Sequence, residues 1–173
     1  MRAALSLGIV LGLGSVGTLA AWSDSATATS NDFKTGKIDL KLGPDPGVDS
    51  FTFSAFNGSG LLPGSTAQAS LDVRNKGDVP FKYSMTAKAT GNMEVAGQIS
   101  LSVFANSSCS GAADKTITMS AADQALITDK GPFVALTGLD IICVKATAGN
   151  GLKKTMQNQS INVVFTFAAT STL

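Results

Sequence analysis

An antiparallel β-sandwich of jelly-roll type, preceded by an N-terminal signal helix, is the all-β architecture this sequence predicts. Three observations predict it. Apolar residues recur at every second position in several short runs, which is the period of a half-buried strand. Clusters of Gly, Pro, Asn and Asp at 43–47, 57–60 and 149–151 separate the runs and read as turns. Helix formers are sparse: the 173 residues hold one Glu (Glu94) and two Arg (Arg2 and Arg74), and charged residues make up 14%, against about a quarter in an average domain. The expected organisation is a signal peptide over 1–21, an extended segment over 22–36 and a single sandwich domain over 37–170.

The leader is read first. Ala3 to Ala21 carries no charge, Arg2 precedes it, and it ends in the small residues Thr18-Leu19-Ala20-Ala21. A positive start, an apolar stretch and a small-residue exit are the marks of a secretory signal. The run is also just long enough to span a membrane, so the uncleaved precursor is the one membrane-inserted form expected. Gly8, Gly12, Gly14 and Gly17 weaken it as a permanent anchor. Cleavage is expected after Ala20 or Ala21, releasing a chain that begins at or next to Trp22.

Residues 22–32 are then polar apart from Trp22 and small alanines. Ile38, Leu40 and Leu42 alternate with Lys37, Asp39 and Lys41 and predict a strand. Phe51, Phe53 and Ala55 predict a second, and Ala67, Ala69, Leu71 and Val73 a third. Phe81, Tyr83, Met85, Ala87 and Ala89 predict a fourth, paired with the third through the Asn75-Lys76-Gly77 turn. Ile99, Leu101 and Val103 give a fifth. A loop over 106–114 carries Cys109, and Thr116 to Met119 is a short strand. Ser120 to Ile127 reads as one helical turn with Ser120 as its N-cap. Leu139 to Ala146, carrying Cys143, reads as a buried strand, and Ile161, Val163, Phe165 and Phe167 mark the last.

Charge and composition exclude several function classes. Arg2 leaves with the leader, so 13 basic against 12 acidic residues become 12 against 12. A neutral body has no footprint for nucleic acid or anionic lipid and permits close self-association. There is no histidine, which removes Ser-His-Asp and Cys-His catalysis and His-bearing zinc sites. One glutamate and no phosphate-binding glycine loop leave no enzyme site and no cofactor to expect. Asp45 and Asp49 flank a Pro/Gly turn without calcium-loop spacing and read as an exposed acidic turn. Asn57, Asn106 and Asn158 match the glycosylation sequon, a frequent chance match. Behind an export signal, the cysteine pair Cys109 and Cys143 is expected to be a disulfide.

The N-terminal motif adds a resemblance. Gly17-Thr18-x-Ala20-x-Trp22-x-Asp24, followed by Phe33-x-x-Gly36-x-Ile38-Asp39-Leu40, resembles the TasA/camelysin group of exported bacterial proteins, in the style of its actinobacterial members. Leu62-Pro63-Gly64, Asn75-x-Gly77 and the stretch Ser160 to Thr170 extend it to the middle and the far end of the chain. The resemblance implies a jelly-roll domain, export through a SipW-type signal peptidase with the cut before Trp22, and secretion to the extracellular space or cell surface. In the best-known relatives it implies assembly into biofilm-matrix fibres, where the freed N-terminal segment lends a strand to the neighbouring copy. The chain is shorter than those relatives and carries a cysteine pair they lack. Some camelysin-like proteins are called metallopeptidases, but this chain offers no plausible ligands for the metal.

Two functions are therefore expected in order. The first is a structural fibre subunit that polymerises with itself, with an accessory matrix protein as a possible partner. Its candidate donor anchors are Trp22, Phe33, Ile38 and Leu40, although Ile38 to Leu42 also suits the first strand of the chain's own sandwich. The second is a secreted monomeric adhesin or ligand-binding domain that uses loops 43–50, 106–115 and 148–155.

Overall fold

The computed structural model describes residues 36–56 and 62–172. The signal segment, the cleavage residues Ala20, Ala21 and Trp22, and the candidate anchor Phe33 lie outside the described residues. Among the described residues eight strands form the body: β1 (Leu40–Leu42), β2 (Thr66–Asn75), β3 (Phe81–Gly91), β4 (Ile99–Phe104), β5 (Lys115–Thr118), β6 (Gln124–Phe133), β7 (Leu139–Ala148) and β8 (Ile161–Ser171). They make two antiparallel sheets, one ordered β1-β2-β7-β4-β5 and the other β6-β3-β8. Five of the seven connections change sheet, the winding of a jelly-roll-like sandwich.

The core lies between the sheets. Alternation along β2 and β3 turns Leu71 and Val73 of one sheet, and Phe81, Tyr83, Met85 and Ala87 of the other, toward each other. Leu101, Val103, Ile142 and Val144 from β4 and β7 complete the five-stranded face. Central β7 is flanked on both sides, by β2 and β4, which explains its run of Ile141, Ile142, Cys143 and Val144. At one end a polar clamp joins the sheets. The Tyr83 hydroxyl donates to Asp140 at 2.6 Å, and Lys130 approaches the same carboxylate at 2.8 Å. Burial, reinforced by the Asp140 carboxylate, pushes the Tyr83 hydroxyl far above its ordinary range, so it stays protonated and donates.

Four sequence expectations are corrected. β2 and β3 do not pair; they lie in opposite sheets. Their apolar faces must meet across the core, and a tight hairpin would put them side by side. Asn75 makes the wide crossing possible. It is 1% exposed, its amide donates to the Val79 and Phe133 carbonyls, and its side-chain oxygen accepts from Gly77 N–H. Asn75→Ala removes all three bonds and leaves buried groups unpaired, so we expect a loss of about 2–3 kcal/mol in urea unfolding.

The strand expected through Phe51, Phe53 and Ala55 is absent. The chain there is irregular and ends in a 3-10 turn, Ser54–Phe56. Its aromatic rings plug the gap between the sheets instead of joining a ladder. The helical turn from Ser120 is also absent: the Ser120 hydroxyl accepts from Ala122 N–H in a bend, and β6 starts at Gln124. Finally, the strand expected through Ile38, Leu40 and Leu42 is confined to Leu40–Leu42, because Lys37 and Asp39 give their carbonyls to the 76–78 turn. One short helix, α1 (Met93–Ala96), was not anticipated. Its cap is Asn92, whose side chain accepts from Glu94 and Val95 N–H.

Candidate functional site

Among the described residues each sheet has two edges, and three of the four are poor templates for a further strand. β1 has three residues and β5 four. β6 pairs with β3 through repeated register shifts, holds Asp129 at φ 47° and contains Pro132, and bulges and proline protect an edge. β8 differs. It runs 11 residues in unbroken register with β3 and, over 161–170, is paired with no other described strand. Its sequence, Ile161-Asn162-Val163-Val164-Phe165-Thr166-Phe167-Ala168-Ala169-Thr170-Ser171, has no charge, no Pro and no Gly. A long, regular, uncharged edge is the kind that pairs with another chain.

The inward side chains of β8 are only half-buried, because the sandwich is open beside them. Ile161, Val163, Phe165 and Phe167 line a groove of about 1220 Å³ with Leu40, Leu42, Phe51, Phe53, Phe56 and Leu152. Phe53 stands 4.9 Å from the ring of Phe165 and 5.2 Å from that of Phe51. These rings form the floor of the groove. A strand laid along β8 would meet backbone groups on one side and this apolar surface on another.

Leu40 and Ile38, two of the expected donor anchors, sit differently. Leu40 pairs with Asn75 of its own chain and lines the groove. Ile38 precedes β1 and is 40% exposed. Neither the open edge nor the groove could be read from sequence, since both depend on strand order.

Charged residues collect around β1 and the 43–49 turn, with Asp49 at the rim of the groove. Asp39 meets Lys37 and Lys41, Asp49 meets Lys41, and Asp45 meets Lys76 and Arg74. Asp45 and Asp49 are thus engaged by cations of the chain itself, and among the described residues no group of three or more metal-ligating side chains comes together. The hydrogen bond from Lys37 holds the Asp39 carboxyl below the usual carboxylate range, and that from Lys76 does the same for Asp45. A depressed carboxylate stabilises above its unfolded pKa, and that contribution is lost as pH falls through the folded value. The Tm difference between the wild type and Asp39→Asn/Asp45→Asn should therefore be present at neutral pH and shrink as pH falls below the ordinary carboxylate range. The effect is small, because these pairs are exposed.

The expected disulfide is present. Cys109 and Cys143 are joined with a Cα separation of 5.1 Å across 34 positions. The bond ties the 105–114 loop to β7, where Phe104 and Ala113 pack around it as a small second core. Asn106 organises the loop by accepting from Ser108 and Ser110 N–H and donating to the Ser110 carbonyl.

Comparison with known proteins found no matching family model and no matching curated protein.

Proposed function

We propose that this chain is a secreted, non-enzymatic structural subunit that assembles with copies of itself. A segment of one copy, residues 22–33, adds to the open β8 edge of the next. The observation that carries this is the pairing of two features in one place: the uncharged β8 edge over 161–170 and a groove beside it whose floor is aromatic and aliphatic and whose rim is polar. Each has a cost in water when left uncovered. An added strand satisfies the backbone of the edge and fills the groove with alternate side chains. Trp22 and Phe33 are the large apolar residues available in the donor. Ile38 and Leu40 follow it and guide the chain into its own sheet.

The proposal includes export by the 1–21 leader, cleavage before Trp22 by a SipW-type peptidase, and membership of the TasA/camelysin-like group. The sequence motif around Trp22 and Phe33 supports all three. Cleavage matters physically, since only a released N-terminus can thread along a neighbour's edge. A biofilm-matrix fibre is the assembly that these features fit, with an accessory matrix protein as a further possible component.

Analytical sedimentation of the mature chain starting at Trp22 tests the proposal. Growth into polymers as concentration rises is the expected result. A monodisperse monomer at millimolar concentration would instead favour a monomeric adhesin or ligand-binding domain that uses the same groove.

A further inference from the structure

We infer that the groove beside β8 binds a long-chain fatty acid, with the acyl chain along its apolar floor and the carboxylate at Lys153. The inference concerns the single subunit and stands whether or not copies assemble.

The groove is a gap between the two sheets. β8 lines one wall with Ile161, Val163, Phe165 and Phe167, and the five-stranded sheet lines the other with Leu40, Leu42, Ala67, Ala146 and Ala148. Local sequence opens the gap. Ala67 stands opposite Ala146, whereas further along the same two strands Leu71 stands opposite Ile142 and closes the core. Where both partners are alanine, the space reaches down to the core residues Ile99 and Leu101 of β4.

Size and shape select a long, slender ligand. The volume of about 1220 Å³ is at or above the roughly 300–1,000 Å³ of a small-molecule site. From Ile161 to Phe167 the floor follows β8 for about 20 Å at the rise of a strand. An extended chain of about sixteen carbons has that length, at about 1.5 Å per bond along a zigzag.

Charge selects the head group. Of the described residues lining the groove, only Asp49 and Lys153 are charged. Lys41 engages Asp49 at 2.6 Å. Lys153 forms no ion pair among the described residues, although it shares an adjoining hollow with Glu94. Lys154 follows it, also without one. The uncompensated charge on the rim is therefore positive. It stands at one end of the floor, beside the polar run Gln157-Asn158-Gln159-Ser160. An anion with a long apolar tail complements both features. A strand added to β8 would cover the same floor, so the fatty acid belongs to the free subunit.

The test displaces cis-parinaric acid, a fluorescent long-chain fatty acid, from the mature chain beginning at Trp22, held below its assembly concentration. Palmitate should displace the probe. Hexanoate should require at least about a hundredfold higher concentration, because it buries far fewer methylenes. Lys153→Gln/Lys154→Gln alters two exposed positions. It should weaken palmitate about tenfold and leave 1-hexadecanol unchanged. Phe165→Asp puts a carboxylate on the floor and should abolish displacement by either, with circular dichroism reporting the fold. Failure of palmitate to displace the probe, or displacement indifferent to both substitutions, would overturn the site. Equal weakening of acid and alcohol by the lysine substitutions would overturn the placement of the carboxylate. These readings come from the monomer, so absence of polymer would count against the assembly reading alone.

Discussion

Deleting residues 22–33 from the mature chain should leave a folded monomer that no longer polymerises at any accessible concentration. The deletion touches none of the described core, which draws on residues from Leu40 onward. Its melting temperature should therefore stay close to that of the parent monomer. What is lost is the strand that covers β8 and fills the groove. Without it, each copy retains an acceptor and has nothing to donate. A second variant attacks the acceptor. Val163→Lys puts a long cation at a half-buried site lining the groove. In the monomer the ammonium can reach water along the open groove. Under an added strand it would be buried without a partner, at a cost of several kcal/mol. Electron microscopy of both variants separates the roles. Fibres from the truncated chain would sink the donor assignment. Fibres from Val163→Lys, with none from the truncation, would move the acceptor away from β8.

The second large effect concerns the disulfide. Cys109→Ala/Cys143→Ala should lower stability by about 3–4 kcal/mol, since the bond closes a long loop in the unfolded chain. For a domain of this size, that corresponds to a fall of about 10 °C in Tm. Differential scanning calorimetry of the variant and of the parent measures it; a shift below about 3 °C would show that the loop holds without the bond. The cysteines lie on the outer side of the five-stranded sheet, packed with Phe104, whereas β8 belongs to the other sheet. Assembly at low temperature should therefore survive the substitution. That separates stapling the fold from building the polymer.

Local pattern carried much of the fold. The alternations of Leu71 and Val73, of Phe81 to Ala89, and of Leu101 and Val103 each put the correct face inward, because a strand's side-chain period is a local property. The buried run around Cys143 likewise marked a central strand. Pairing was a different matter. Asn75-Lys76-Gly77 looks like a hairpin turn, but the side chain of Asn75 bonds inward and carries the chain across to the other sheet. β6 was hidden because Asp129, Gly131 and Pro132 read as turn residues while sitting inside a bulged strand. Phe51 and Phe53 mimic strand alternation, yet they pack as a plug beneath Phe165. The candidate site was the least legible part. The sequence of β8 is the same whether its outer edge is covered or open. Only strand order, set by contacts distant in sequence, leaves it at the rim of a groove.

Hydrogen–deuterium exchange along β8 addresses the central claim most directly. The mature chain would be followed by mass spectrometry as monomer, below its assembly concentration, and again as polymer. If a second copy adds its strand here, peptides covering 161–170 should gain protection on assembly, more than those from β5 or β6. Polymer that forms while exchange in 161–170 stays at the monomer rate would contradict the account.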